Sequence, residues 1–130
     1  MSDEFKFVQY VFVPKSSKMS PGKIASQVAH ATFLALDKTE EITIKLWKYN
    51  GMPVIVFQVK DQIELHNVCK YLEQENIIFA SYNDEVYTEV PPCTMTAVAT
   101  GVLEREKHMW RFDQFVLYKD TKWYDFFMWV

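Results

Sequence analysis

Lys23, Gln27, His30 and Leu34 follow one another at spacings of four, three and four residues, which on an α-helix aligns them along one face. An ammonium, an amide and an imidazole in one line form a polar stripe able to hold an anion, orient water or move a proton. Lys23 falls in the first turn of that helix, where unpaired backbone N–H groups and the macrodipole already favour negative charge. The same stripe also fits an ordinary solvated helix face, because charged side chains normally cover the outer side. A lysine in the first turn opposes the dipole slightly, which tilts the stripe toward a functional role. Gly22-Lys23 has the outline of a phosphate loop. Ser17 stands where such a loop needs its first glycine, and Ile24 replaces the required hydroxyl residue, so a nucleotide-binding loop is excluded.

A second constellation runs from Asp84 to Gly101, DEVYTEVPPCTMTAVATG. Thr94, Thr96, Val98 and Thr100 alternate with Met95, Ala97 and Ala99, and strict alternation in a strand would put the threonines on one face. Asp84 and Thr88 lie in the loop that leads into this strand. In open α/β sheets, ligand groups gather on loops at strand ends. Threonines also suit strands for reasons unrelated to function.

These residues need elements to position them. Phe5 to Val13 alternates and is rich in Phe, Val and Tyr, which predicts a first strand that Pro14 ends. After a polar loop from Lys15 to Met19, Ser20 is a good N-cap and Pro21 fits the first helical position. That helix is predicted to reach about Asp37, with Ile24, Val28, Ala31 and Ala35 on its core face. Glu40 to Tyr49 is a further helical segment, ending at the Asn50-Gly51 turn. Pro53 to Lys60 reads as a buried second strand. Asp61 with Glu64 forms a capping box for a helix whose core face is Leu65, Val68, Cys69 and Leu72. Ile77 to Tyr82 and Met95 to Leu103 give two more strands. The tail from Glu104 is dense in aromatics (Trp110, Phe112, Phe115, Tyr118, Trp123, Tyr124, Phe126, Phe127 and Trp129); Phe115 to Tyr118 has strand character but no evident neighbour. The expected fold is α/β: a single three-layer domain with a mixed sheet of four strands or slightly more and helices on both faces. Residues 1–103 form the domain, and residues 104–130 form an aromatic C-terminal extension packed on it.

The chain has 130 residues, 49% of them hydrophobic and 24% charged, which suits one globular domain with a real core. A net charge of −3 argues against coating nucleic acid by charge alone, though not against a local basic patch. Cys69 and Cys93 lie far apart and neither belongs to a CxxC pair, so no zinc or redox motif is present. No signal peptide or membrane span is expected. A soluble cytoplasmic protein follows from these properties.

Together the two constellations resemble the signatures of the type 2 peptidyl-tRNA hydrolase family. Gly22, Lys23, Ile24, Ala25, Gln27, His30 and Ala31 match its first signature; Asp84, Thr88, Val90, Thr94, Thr96 and Gly101 match its second. The likeness covers roughly Phe7 to Leu103. It implies hydrolysis of the ester joining a peptide to the terminal ribose of tRNA, by water and without a metal or cofactor. It also implies catalytic roles for Lys23, His30, Asp84, Thr88 and Thr96, and substrate-binding roles for Gln27 and Thr94. In the implied chemistry Asp84 orients or deprotonates the water while Thr88 and Thr96 fix its position. Lys23 stabilises the oxyanion or grips a phosphate, and His30 tunes the network or donates to the leaving oxygen. Pro14 and Ser16, Val86, and Pro92-Cys93 depart from the family pattern. They leave open an alternative, a domain of the same fold that serves as a ligand- or protein-binding module. The aromatic tail is either a cover for an edge or face of the sheet or a surface for a partner or for an oligomer such as a homodimer.

Overall fold

All eight residues of β1 (Phe7–Pro14) are buried, which requires cover on both faces and paired strands on both sides. The structure, a computed structural model, describes residues 6–84, 89–91 and 94–119. Within them β1 is followed by α1 (Pro21–Leu36), α2 (Glu41–Tyr49), β2 (Val54–Val59), α3 (Gln62–Gln74), β3 (Phe79–Asp84) and β4 (Thr94–Thr100). The chain continues through β5 (Leu103–Glu104), α4 (Arg105–Phe112) and β6 (Val116–Leu117). The six strands make one mixed sheet in the order β3-β4-β1-β2-β6, with β5 pairing the first residues of β1. β1 and β2 are parallel, from Gln9 opposite Val54 to Pro14 opposite Val59, and β4 runs antiparallel to both β1 and β3. The strands β1, β2 and β3 therefore share one direction and end on one side of the sheet.

Alternation along β1 separates the two layers. Val8, Tyr10 and Phe12 enter a core with Leu65, Val68 and Leu72 of α3 and with Phe112 of α4. Val11 and Val13 enter another with Ala31 and Ala35 of α1 and with Ala80, Ala97 and Ala99 of the sheet. Alanines on both sides of this second core leave little between helix and sheet, so α1 lies close over β3 and β4. Phe7, Trp47 and Val102 close a third cluster under α2, where the Trp47 indole N–H donates to Pro53 O at 3.0 Å. Helices thus cover both faces, as the pattern predicts, and the sheet is larger than four strands.

The helix starts follow local chemistry. Ser20 Oγ accepts the Lys23 N–H at 3.2 Å with Pro21 at the first position of α1. Asp61 Oδ1 accepts the Glu64 N–H at 3.0 Å, while Glu64 reaches back to the Lys60 N–H at 2.5 Å, one residue before the cap. Leu65, Val68 and Leu72 are buried; Cys69 is half-buried, and burial pushes its thiol pKa up, the reading of a packed thiol. Gly51 takes a φ of +94° after α2, the conformation the Asn50-Gly51 turn requires.

The tail contributes more than the pattern anticipates. No helix is foreseen at α4, yet it forms, and Phe112 from its last turn is buried with its ring 4.1 Å from that of Tyr10. Phe115 meets Phe12 edge-on at 4.8 Å. The strand anticipated around Phe115 to Tyr118 is β6, and its neighbour is β2, with Leu117 opposite Phe57 and Val116 opposite Gln58. Trp123, Tyr124, Phe126, Phe127 and Trp129 lie outside the described residues, as does the side chain of Trp110.

Candidate active site

Asp84 is the last residue of β3 and Lys23 lies in the first turn of α1, and the close packing of α1 on β3 brings them together. The Lys23 ammonium donates to Asp84 Oδ2 at 2.5 Å, and the two side chains retain only 12% and 8% of their exposure. The two segments singled out in the sequence, separated by sixty-one positions, thus meet in one partly buried ion pair. Such a pair is a charge-assisted hydrogen bond in a poorly solvated setting, where electrostatic interactions are stronger than in water. An ammonium has three donors, so Lys23 keeps N–H groups beyond the one given to Asp84.

The threonines of β4 do not share a face, because the ladder slips. Tyr82 is opposite Ala97, but Asn83 is opposite Met95, so Thr96 is an extra residue in a β-bulge. Ala97 and Ala99 lie in the core under α1, whereas Val98 lies in the core with α3. The bulge lets Thr96 point to α1 as well, next to Ala97. There its hydroxyl donates to Gln27 Oε1 at 2.5 Å, with both residues buried. Gln27 Nε2 donates in turn to Ser26 Oγ at 3.1 Å. The Lys23–Gln27 part of the stripe therefore faces the sheet, not solvent, and the buried face of α1 is Gln27, Ala31 and Ala35, with Ile24 and Val28 half-buried.

His30 continues the same line outward. It is exposed and stacks on Tyr82 of β3, ring centroids 4.6 Å apart. Tyr82 is two residues before Asp84, and His30 stands two helical turns, about 10 Å along α1, from Lys23. Thr94 pairs with Asp84 across the ladder and spends its hydroxyl proton on Pro91 O at 2.7 Å, which leaves its oxygen as an acceptor. Thr88, Val86 and Cys93 lie outside the described residues.

Glu89 is a contributor with no sequence signal of its own. Its carboxylate accepts the Ser20 N–H at 2.6 Å and the Ser20 hydroxyl at 2.7 Å. The backbone bond, then the hydroxyl bond, holds its pKa below the usual carboxylate range. The negative charge favoured at the start of α1 is thus supplied by the chain itself. Glu89 ties the segment after β3 to the helix that carries Lys23.

Four lysines come from the same side of the sheet: Lys15 and Lys18 after β1, Lys23 in α1 and Lys60 after β2. Among the acidic residues near them in the chain, Asp61 and Glu64 are held at the start of α3 and Glu89 at the start of α1. Lys15 lies over the Tyr118 ring at 4.6 Å and donates to Lys119 O at 2.6 Å. No group of three or more His, Cys, Asp or Glu able to hold a metal ion occurs among the described residues, and none of their helices is long and apolar enough to cross a membrane.

This combination defines an α/β domain with a lysine–aspartate pair at the carboxyl ends of its parallel strands. The profile of the family described as peptidyl-tRNA hydrolase PTH2 matches residues 7–115. The chain is 31% identical over 105 residues to a peptidyl-tRNA hydrolase of Thermococcus onnurineus, covering 78% of this chain and 89% of that protein. It is 32% identical over 100 residues to the peptidyl-tRNA hydrolase of Thermoplasma acidophilum, covering 75% and 86% respectively. A similar match, 33% over 84 residues, covers 65% of this chain and 75% of the peptidyl-tRNA hydrolase of Haloquadratum walsbyi. The chain belongs to the peptidyl-tRNA hydrolase PTH2 family.

Proposed function

We propose that this protein hydrolyses the ester linking a peptide to the terminal ribose of tRNA, releasing free tRNA and free peptide. The observation that carries the proposal is the Lys23–Asp84 contact, which joins the two family signatures in one site. In the proposed step a water oxygen attacks the ester carbonyl carbon and gives a proton to Asp84. Negative charge gathers on the carbonyl oxygen, where a remaining Lys23 N–H donates to it. The tetrahedral intermediate collapses, the bond to the ribose oxygen breaks, and that oxygen takes up a proton. His30 is the proposed donor for this last transfer. Thr96 and Gln27 act as positioning residues: their buried bond fixes α1 against β4 and so fixes where Lys23 stands. Thr88 completes the proposed set, and Thr94 offers its oxygen to the substrate.

Lys15, Lys18 and Lys60 supply the positive charge that a phosphate backbone needs, despite the overall acidity of the chain. Substrate binding is therefore expected to weaken steeply with salt. The reading sets the protein in the cytoplasm, the compartment of translation. The test is direct. Purified protein should release tRNA from N-acetyl-aminoacyl-tRNA, and both Lys23→Ala and Asp84→Asn should slow that release by about 10²-fold or more. Unchanged turnover in both variants overturns the assignment.

A further inference from the structure

β3 is an edge of the sheet; among the described residues its one neighbouring strand is β4. A single bond sets which of its backbone groups β4 uses. The Gly101 N–H donates to Ile78 O at 2.8 Å, and in an antiparallel ladder alternate residues face the partner. Ala80 and Tyr82 are in phase with Ile78 and turn inward, while Phe79, Ser81 and Asn83 turn their N–H and C=O groups outward. Two side-chain contacts agree with this phase. The Thr96 hydroxyl of β4 lies 3.4 Å from Tyr82 O, whereas Phe79 O takes the Lys38 ammonium at 3.0 Å. The Lys38 contact closes one end of the edge. The open stretch is Ser81 and Asn83, both exposed, and it runs directly into Asp84.

We propose that this stretch binds the peptide half of the substrate as an added strand. The inference rests on the peptidyl-tRNA reading above and specifies how that site holds its substrate. The ester carbonyl that meets Asp84 is the carboxyl end of the peptide, and Asp84 is the carboxyl end of β3. The peptide therefore lies parallel to β3, with its amino end pointing toward Phe79. Pairing through main-chain groups gives affinity without reading side chains, which suits a substrate whose peptide sequence varies. At about 3.3 Å per residue, two outward residues reach about four peptide residues before Lys38 ends the ladder.

The experiment measures turnover of tRNA esterified with acetylated mono-, di-, tetra- and octa-alanine by the full chain. KM is expected to fall up to the tetrapeptide and then level off. N-methylating single amides of the tetrapeptide is expected to raise KM about three- to tenfold at the positions that bond to the edge, and not at those between them. Ser81→Pro removes an outward N–H without taking one from the β4 ladder, and is expected to remove the gain with length. A KM independent of peptide length and of N-methylation overturns the edge proposal and leaves the hydrolase reading intact. Amide hydrogen exchange gives a readout that needs no turnover, using acetyl-tetra-alanine joined by an amide to 3′-amino-3′-deoxyadenosine. Slowed exchange at Ser81 and Asn83 supports the edge even for a protein that hydrolyses none of the esters; unchanged exchange at both overturns it.

Discussion

Replacing Asp84 by asparagine separates what the Lys23–Asp84 pair does for stability from what it does for chemistry. At the observed 2.5 Å the gross attraction is roughly 6–7 kcal/mol for an effective dielectric constant near 20. Removing two ions from water costs several kcal/mol each, so the intact pair nets little. A lone ammonium left in the same place is another matter, and breaking a buried pair costs about 3–5 kcal/mol. Lys23 retains 12% of its side-chain exposure and can swing partly into water, which favours the lower end, about 3 kcal/mol. For a chain of this length that lowers the melting temperature by roughly 12 °C. Lys23→Met combined with Asp84→Asn removes both charges, and most of the lost stability should return. Turnover should not return: each single variant and the double variant should lose about 10²–10⁴ in kcat, the range expected for a positioned acid–base group. Circular-dichroism melts and urea titrations give the stability cycle, and release of tRNA from N-acetyl-aminoacyl-tRNA gives the rate. A double variant no more stable than Asp84→Asn would refute the lone-charge reasoning. A double variant within tenfold of the native rate would refute the catalytic role.

Three further outcomes follow from other contacts. Thr96→Val should cost about 1–3 kcal/mol, because it leaves the buried Gln27 carbonyl without its donor. Adding Gln27→Leu should recover part of that loss in urea melts. Glu89 has a pKa lowered in the folded state, so its tie to Ser20 is fully present above the unfolded glutamate value of about 4.3 and is lost as pH falls through the folded value. The Ser20 amide resonance should therefore titrate with a midpoint below that of a free glutamate, and Glu89→Gln should abolish the titration; a midpoint at or above it counts against the contact. Phe112→Ala should destabilise the domain by about 3–5 kcal/mol, since a buried ring stacked on Tyr10 is removed; a melt unchanged within error would show that the tail is not part of the core.

The elements legible in the sequence are those whose signals are local. Ser20-Pro21 marks the start of α1, Asp61 and Glu64 mark that of α3, and the β-branched runs of β1 and β2 identify themselves. What stayed hidden depends on partners far along the chain. The TMTAVAT run alternates without fault, so nothing in it reveals that Thr96 is an inserted residue; the bulge exists only in relation to β3. Gln27 looks like a surface amide until Thr96, sixty-nine positions away, supplies its buried bond. Glu89 acquires its role from Ser20 at the same separation. α4 is obscured by charged residues and aromatics that break any clear apolar face, and its place is set by the stack of Phe112 on Tyr10. At the candidate site, the sequence singles out the segments that carry Lys23 and Asp84, and the fold supplies the contact between them.

The pairing of β6 with β2 has a consequence for the biosynthesis of the protein. Synthesis proceeds from the amino end, and β2 leaves the ribosome long before residues 116–117 exist. Until then β2 offers an open strand edge, and Tyr10 and Phe57 lack the ring of Phe112 that later covers them. A chain that stops short of α4 therefore carries most of a sheet with an exposed aromatic flank, a species disposed to aggregate. Closure of the sheet on this side thus waits until residues 116–117 have been made, which leaves shorter copies recognisable as unfolded.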